Sequence, residues 1–415
     1  MKQMIVSCDR AETRMALLDK GELVEFASER SSGKGIAGNF YKGKVMNVLP
    51  GIQAAFVDIG QKKNGFLYID DVLHPHMDKQ PSVKPNIAEL IQPGQELIVQ
   101  VTKEPSGSKG AKLTTHYSLP GRWLVYMPYA DYIAVSKKVS TEQERTRLRQ
   151  LGEDLRQDEE GLILRTVAEG EHDEAIASDL LMLRSLWKQI IKRADRRRPP
   201  AELHRDLGLV ERMLRDVFHP QEDHFITDDA ACMEQVQLFL QGITASDESA
   251  HVELYRDAEP ILQRFGVQEK LYHDFQRRVW LEGGSYIVWD QTEALTVVDV
   301  NTGKFTGGAT LEETVTQTNI AAAEKIARLL RLRDTGGIII IDFIDMDQDS
   351  NRRLVVEALE RVLVQDRTKA HIVGWTRLGL LEMTRKKARE ETASFAYQTC
   401  SVCHGTGKIA SWIRD

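Results

Sequence analysis

Two aspartates interrupt apolar strands in the second half of the sequence. Asp299 lies in the segment LTVVDVNTG, and Asp342 follows four isoleucines in IIIIDFIDMD. Side chains alternate along a strand, so Asp299 and Asn301 are predicted to share one face, opposite Val298 and Val300. An ionised carboxylate in such a strand is costly unless it meets a cation or strong hydrogen-bond donors. If the two strands are neighbours in one sheet, Asp299 and Asp342 come together at its edge.

A pair of carboxylates of this kind favours the binding of a divalent ion. Magnesium commonly uses one or two carboxylates, and water and substrate phosphate complete its coordination shell. Such an ion lowers the pKa of a bound water and offsets charge on a reacting phosphate. Asn301 would orient Asp299 or contact the phosphate. The alternative is that the aspartates cap loops or pair with nearby arginines. Asp345 and Asp347 lie beyond the strand core and are expected to support the site or to face solvent.

A second set of metal-ligand residues lies near the end of the chain. Cys400 and Cys403 in CSVCHGTG have the spacing of a zinc knuckle, and the glycines leave room for a tight turn. A structural zinc takes four ligands. Either His404 and a distant group complete the site, or a second subunit supplies another pair of ligands. The second arrangement makes zinc a link between two protomers.

The first half of the sequence has the pattern of short strands. Two or three strands with alternating apolar and polar residues are expected before residue 31, with a turn at Asp19-Lys20-Gly21. Five more, with glycines at the turns, predict a small closed barrel of the OB type. Aromatic side chains that lie among lysines on such strands stack nucleobases, although most rings are expected to fill the barrel. These strand aromatics are Phe40, Tyr41, Phe56, Phe66 and Tyr68.

The rest of the chain alternates between strands and helices. Residues 118–140 add strands, and residues 141–215 are mostly helical. From residue 285 onward a hairpin, a long helix, the isoleucine strand, a second helix and a last strand follow. This order predicts an α/β unit with a covered sheet, which must position the aspartates.

Composition limits the classes of protein that fit. A chain of 415 residues is too long to fold around one hydrophobic core, so several domains or subdomains are expected. No apolar run approaches the length of a membrane span. Cysteine usage fits a reducing cytoplasm better than a disulfide framework. The net charge of −7 argues against binding of nucleic acid through bulk positive charge. Local basic stretches are present, with ten Lys/Arg against four Asp/Glu between Arg184 and Arg215. These stretches indicate either that the protein binds a polyanion at a few local sites or that they are solvent-exposed basic faces of helices.

These motifs, in this order, resemble the ribonuclease E/G family over essentially the whole chain. The segments that carry the resemblance are YKGKV, AAFVDIG, GFL, KGAKLTT, GLILRT, EALTVVDVNTG, LRLRDTGGIIIIDFIDM, RLGLLEMTRK and CSVCHGTG. The resemblance implies a mixed α+β and α/β chain of several subdomains. Residues 1–37 and 212–276 would form an RNase H-like subdomain, with an OB-type RNA-binding domain inserted at 38–117. A 5′-sensor region (118–211), a DNase I-like catalytic subdomain (277–399) and a zinc link (400–415) would follow.

The resemblance also implies roles for single residues. Asp299 and Asp342 would hold magnesium, with Asn301 supporting them, and Cys400 and Cys403 would bind a structural zinc shared between the protomers of a homodimer. Residues implied to grip single-stranded RNA are Phe56, Phe66 and Lys109. Residues implied to form the pocket for a 5′-monophosphate are Gly121, Val125, Arg165 and Thr166, and an arginine with a hydroxyl suits that anion chemically.

The implied activity is metal-dependent endonucleolytic hydrolysis of single-stranded, A/U-rich RNA, which leaves 5′-phosphate and 3′-hydroxyl ends. Two departures from the family pattern stand out. VAEGEHDE follows GLILRT in place of a glycine-rich continuation, and the chain ends eight residues after Gly407, which favours a dimer. The alternative function is a catalytically inactive RNA-binding regulator that uses the OB domain. A zinc-ribbon chaperone would explain only the last motif.

Overall fold

The computed structural model describes residues 2–30, 35–76, 79–105, 109–243, 250–292, 294–303, 310–386, 400–403 and 407. The chain divides into two compact units. Unit 1 comprises Met1–Ser31, Pro220–Gln235 and Ser249–Asp415, and unit 2 comprises Ser32–His219 and Val236–Glu248. The five predicted subdomains are smaller than these units, and their boundaries stay predictions.

The secondary-structure elements are numbered in chain order. The strands are β1 Lys2–Cys8, β2 Glu12–Asp19, β3 Glu22–Arg30, β4 Phe40–Leu49, β5 Ala54–Asp58, β6 Gly65–Tyr68, β7 Glu96–Lys103, β8 Lys112–Thr114, β9 Leu119–Pro120, β10 Leu124–Met127, β11 Ile133–Val135, β12 Gly161–Leu164, β13 Ala201–His204, β14 His224–Thr227, β15 His251–Leu254, β16 Arg278–Trp280, β17 Tyr286–Gln291, β18 Leu295–Asn301, β19 Gly337–Asp342, β20 Ala370–Trp375 and β21 Leu381–Arg385. The helices are α1 Ile87–Leu90, α2 Glu142–Leu155, α3 Asp173–Arg196, α4 Leu209–Asp216, α5 Ala230–Ile243, α6 Ile261–Arg264, α7 Val267–Asp274, α8 Leu311–Leu332 and α9 Asp349–Leu363.

The predicted barrel is present in unit 2. β4 pairs with β5 and β7, β5 with β6, β6 with β8, and β8 with β7, so five strands close into a ring. Its interior is filled by alternating apolar side chains, among them Tyr41, Val57, Leu67, Val99 and Leu113. Closure of the ring confirms the prediction of a five-stranded barrel consistent with the OB type.

The remainder of unit 2 is a small sheet covered by helices. Its strand order is β11-β12-β10-β9. α3 buries Ile176, Leu180, Leu183, Trp187 and Ile190, which recur every three or four residues and therefore lie on one face of the helix. These side chains share a core with Leu124, Leu162 and Leu164 of the sheet.

The opening strands of unit 1 belong to a sheet of order β15-β14-β1-β2-β3. Lys20 and Gly21 have positive φ at the β2–β3 turn, as the turn signal predicts. β1 is the central strand, and Met4, Ile5 and Val6 are all fully buried. Strict alternation is therefore wrong for this strand, because a strand covered on both faces carries a continuous apolar run.

The second sheet of unit 1 has the order β16-β17-β18-β19-β21-β20. β17 and β18 form the predicted hairpin, and α8 connects β18 to the parallel strand β19. Ile339 and Ile341 are buried in a core shared with α8 and α9, whereas Ile338 is 50% exposed. The expectation of a covered sheet is thus wrong for one of its faces, within the residues described. We call this side, which carries Ile338 and Asp299, the open face.

No helix in the described ranges combines the length and the apolar character needed to cross a bilayer.

Candidate active site

The two candidate aspartates lie side by side at the ends of neighbouring strands. β18 and β19 pair in parallel, and Asp299 is in register with Asp342. Adjacent strands are about 4.8 Å apart, and residues paired across them project from the same face. Both side chains are exposed on the open face. The structure therefore brings together the two carboxylates that the sequence singled out.

Asn301 lies two residues after Asp299 and contacts it directly. The Asn301 side-chain Nδ2 donates a hydrogen bond of 2.7 Å to Asp299 Oδ2. Val298 and Val300 point the other way into the core, as strand alternation predicts. Because one carboxylate oxygen accepts this hydrogen bond, Asn301 restricts the rotation of Asp299 and leaves Oδ1 available for another ligand.

The electrostatics of the pair favour a cation. Burial, the charge of Asp299 and the charge of Asp345 together raise the pKa of Asp342 above its ordinary value. Across the described residues, neither Asp299 nor Asp342 has a salt-bridge partner, so pairing with arginine does not explain them there. No group of three or more metal-type ligands occurs in the described part of the chain. The donor set is thus two carboxylates, which suits a hard ion that retains several waters.

Asn319 fixes the chain immediately after Asp342, and the sequence analysis did not identify it. Its Nδ2 donates to the carbonyl oxygen of Ile344 at 2.8 Å, and its Oδ1 accepts from the Ile344 N–H at 3.1 Å. Asn319 is fully buried on α8. A polar residue in the apolar stripe of a helix was the available signal, because a buried amide persists only where it is hydrogen-bonded.

Asn319→Ala is expected to lower the free energy of unfolding by about 1–3 kcal/mol, because the Ile344 N–H and carbonyl would be left without partners. Denaturant titration measures the loss. Thr318→Val is the matched control on the same helix, since among the described residues the Thr318 hydroxyl donates its hydrogen bond to the Thr314 carbonyl of its own helix. Equal stability losses in the two variants would contradict a positioning role for Asn319.

Arg165 and Gly121 meet beside the small sheet of unit 2. Arg165 follows β12, and its Nη1 donates to the carbonyl oxygens of Gly121 at 2.7 Å and Arg122 at 3.2 Å. Its Nη2 lies 2.8 Å from Asp216 Oδ1. Asp216 also pairs with Arg215 at 2.9 Å. The guanidinium is therefore held in a fixed orientation from several sides.

The other two residues implied for this pocket lie on the same strands. Val125 of β10 is half-buried and pairs with Ile163 of β12. The Thr166 hydroxyl lies 2.8 Å from Ser136 Oγ, so the contact that the structure gives it is to Ser136 and not to Arg165. All four predicted residues are thus on or next to β10 and β12. Among the described hydrogen bonds, the Arg165 guanidinium joins Gly121 of this set.

Asp179 shapes the same place and was not predicted. Its Oδ2 accepts hydrogen bonds from the backbone N–H groups of Trp123 at 2.8 Å and Leu124 at 3.4 Å. Burial raises its pKa above the ordinary value. A Cβ on Gly121 would overlap the Asp179 carboxylate, which explains why glycine occupies this position. An acidic residue on the buried stripe of α3 was the signal in the sequence.

Three aromatic rings form a strip on the barrel. Phe56 of β5 is in register with Phe66 of β6, and their ring centroids are 5.8 Å apart. Phe66 also stacks on Tyr68 at 6.5 Å. All three are half-buried. By contrast, Phe40 and Tyr41 are buried in the cores, so two of the five strand aromatics serve packing.

Lys109 lies next to the strand that carries Phe66. It is exposed, and the following residue, Gly110, packs so closely on the Asn64 carbonyl at the start of β6 that a Cβ would overlap it. The chain is thereby held against β6. Phe56, Phe66 and Lys109 consequently occupy one region of the barrel, and their role in gripping RNA stays a prediction.

The pKa of one thiol of the cysteine pair is lowered. Backbone N–H groups of Cys403 and Val402, and then the Cys403 thiol, lower the pKa of Cys400. Cys400 is exposed and Cys403 is half-buried. The thiolate is the form that binds zinc, so this arrangement fits a zinc knuckle. His404 and most of the predicted zinc link lie outside the described residues.

Comparison with known proteins gives a consistent result. Residues 118–388 match the model of the ribonuclease E/G family. Ribonuclease G of Salmonella typhimurium strain SL1344 is 42% identical over 414 residues, which cover 98% of this chain and 84% of that protein. Ribonuclease G of Escherichia coli strain K12 is 41% identical with the same coverage. Ribonuclease E of Nostoc sp. strain PCC 7120 is 40% identical over 373 residues, which cover 89% of this chain and 54% of that protein.

Proposed function

Because the chain belongs to the ribonuclease E/G family and is an endoribonuclease of RNA processing, we propose that Asp299, Asn301 and Asp342 form its hydrolytic centre. Its substrate is single-stranded, A/U-rich RNA in the cytoplasm, and its products carry 5′-phosphate and 3′-hydroxyl ends. The observation that carries this proposal is the in-register pair of exposed carboxylates, with Asn301 bonded to one of them.

Asp299 and Asp342 would hold Mg²⁺, which, when bound, lowers the pKa of a coordinated water and offsets negative charge at the phosphate. The pair fits this role because two like charges on adjacent strands repel until a cation lies between them. Asn301 keeps Asp299 in one rotamer and has a second N–H for a phosphate oxygen. Asn319 holds the backbone that follows Asp342. The reaction is the addition of water across one phosphodiester bond, which releases the 3′-hydroxyl.

Two surfaces of unit 2 would select the RNA. The ring strip of Phe56 and Phe66 offers π-faces to unpaired bases, and Lys109 offers a cation to the backbone. Duplexes bury their bases, so a strip of this kind favours single strands. Arg165 would bind a 5′-monophosphate through the donors that remain on its guanidinium, with Gly121, Val125 and Thr166 beside it.

Cys400 and Cys403 would bind a structural zinc together with the same pair from a second protomer, giving a homodimer. We expect Cys400→Ser/Cys403→Ser to lose the bound zinc, about one ion per dimer, and to become monomeric, since four ligands complete a structural site. Metal analysis and light scattering measure both quantities. Cys232→Ser is the control. Zinc at one ion per monomer in the unaltered protein would contradict a shared site.

The test of the activity uses a short A/U-rich RNA with a 5′-monophosphate, with Mg²⁺ present or chelated. Internal cleavage that requires the ion and yields ligatable 5′-phosphate ends is the expected result. Phe66→Ala, assayed alongside, should bind RNA about five- to tenfold more weakly and still cleave it. RNA that is bound but left intact in both Mg²⁺ and Mn²⁺ would overturn the proposal and favour an RNA-binding regulator.

A further inference from the structure

The open face of unit 1 continues beyond the carboxylates into a row of aromatic side chains. In the strand register, Asn301 of β18 lies opposite Tyr286 of β17, and Tyr286 lies opposite Trp280 of β16. Paired residues project from the same face. Asn301, Tyr286 and Trp280 therefore form one line across three strands, about 10 Å from end to end. The hydrolytic centre and these rings share one surface.

The rings contact each other and an arginine. Trp280 and Tyr286 make an edge contact with centroids 5.1 Å apart. The Arg278 guanidinium carbon lies 4.6 Å from the centre of the Tyr286 ring and 6.0 Å from that of Trp280. Trp280 is 60% exposed. We call Arg278, Trp280 and Tyr286 the stacking cluster.

Packing does not account for the exposed tryptophan. Val279, which lies between Arg278 and Trp280, is the buried residue of this strand and packs in the core. A single exposed apolar side chain is ordinary. Here the exposed tryptophan contacts a second ring and an arginine, and it lies in the same row across the sheet as Asn301. This arrangement is less common than a single exposed apolar side chain.

The charge of Arg278 is available to a ligand. The neighbouring Arg277 is paired with Asp290, with Nε 2.5 Å from Oδ1. Across the described residues Arg278 has no salt-bridge or hydrogen-bond partner. A cation held over a ring is weakly hydrated and can contact a phosphate while the rings contact the base.

We propose that the stacking cluster is a base-binding subsite for single-stranded RNA, which takes an unpaired nucleobase within about two nucleotides of the cleaved phosphodiester. This inference rests on the proposed function of Asp299, Asn301 and Asp342. Trp280 and Tyr286 supply the stacking surface, and Arg278 contacts the adjoining phosphate. The subsite would hold the strand across β16 to β18 and so position the bond at the carboxylates.

The test compares the unaltered protein with Trp280→Ala, Trp280→Phe and Arg278→Gln. Binding of a fluorescent A/U-rich RNA is measured by anisotropy with metal chelated, and a single abasic nucleotide is moved through the cleavage region. We expect Trp280→Ala to weaken binding about five- to tenfold and Trp280→Phe less than about twofold. Arg278→Gln should weaken it about two- to fivefold.

The abasic series identifies stacking itself. At one position of the RNA, removal of the base should weaken binding to the unaltered protein about as much as Trp280→Ala weakens binding of the intact RNA. Removal of the same base should not further weaken RNA binding by the Trp280→Ala variant. Leu354→Ala is the matched control. Leu354 is also an exposed apolar residue, but it lies on α9, which packs in the core beneath the opposite face of the sheet. This variant should bind and respond as the unaltered protein does.

Two outcomes would overturn the subsite. In one, Trp280→Ala and Arg278→Gln bind RNA and respond to the abasic series as the unaltered protein does. In the other, RNA binding is unchanged but Trp280→Ala alters self-association, which would assign the cluster to a protein contact. Arg278→Gln retains the rings, so it tests the subsite even if Trp280→Ala fails to fold. Failure of the unaltered protein to cleave RNA would instead refute the proposed function, because that measurement does not involve the cluster variants.

Discussion

Asp299→Asn is expected to lower kcat for internal RNA cleavage by about 10³-fold, equivalent to about 4 kcal/mol of transition-state stabilisation. The substitution retains the shape of the side chain and removes the charge that would hold the metal ion. RNA affinity should stay within about twofold, because the proposed base-stacking and phosphate contacts are made by other residues. Single-turnover cleavage and anisotropy separate the two quantities.

The same variant should be as stable as the unaltered protein or more stable. Asp299 and Asp342 are in register on adjacent strands, and the charge of Asp299 contributes to the raised pKa of Asp342. Neutralising one carboxylate removes this repulsion. A loss of activity together with an unchanged or higher unfolding midpoint is the signature of a functional charge pair.

Asp345→Asn is the control for Asp299→Asn. Asp345 also raises the pKa of Asp342 and is exposed, but it lies beyond β19. We expect the kcat of the Asp345→Asn variant to be less than about tenfold below that of the unaltered protein. If Asp345→Asn were as inactive as Asp299→Asn, the two-carboxylate site would be incorrect and Asp345 would be a third ligand.

Arg165→Ala is expected to reduce kcat/KM on 5′-monophosphorylated RNA by about 10- to 100-fold, since charge-assisted hydrogen bonds contribute about 1.5–3 kcal/mol. Cleavage of the same RNA with a 5′-hydroxyl should change less than about twofold. The fold should persist, because Asp216 keeps its pairing with Arg215. The measurement is the ratio of the two rates in parallel time courses.

Two further variants give this experiment its controls. Arg165→Lys keeps the charge but loses the planar fork, so an intermediate loss is expected. Arg205→Ala removes another arginine of unit 2, one that is exposed and paired only with Glu202 in the described contacts, and should behave as the unaltered protein does. Equal losses of Arg165→Ala on both RNAs would show that Arg165 supports the fold and does not sense the 5′ end.

The sequence by itself determined which residues share a face. The two-residue period of a strand is a property of the backbone, so it places Asp299 and Asn301 on one face and Val298 on the other. Glycine-marked turns likewise predicted the barrel that β4 to β8 form. Local chemistry of this kind requires no knowledge of distant contacts.

Only the tertiary structure decided how these faces meet. The register of Asp299 with Asp342 depends on the α8 crossover, and the positions of Asn319 and Asp179 depend on contacts with Ile344 and Trp123. Which side of the sheet stays open, and hence which residues join the proposed hydrolytic centre, follows from the side on which the helices pack. Strand pairing and helix packing depend on the total burial of many side chains that are far apart in the sequence. A local sequence pattern does not contain that information.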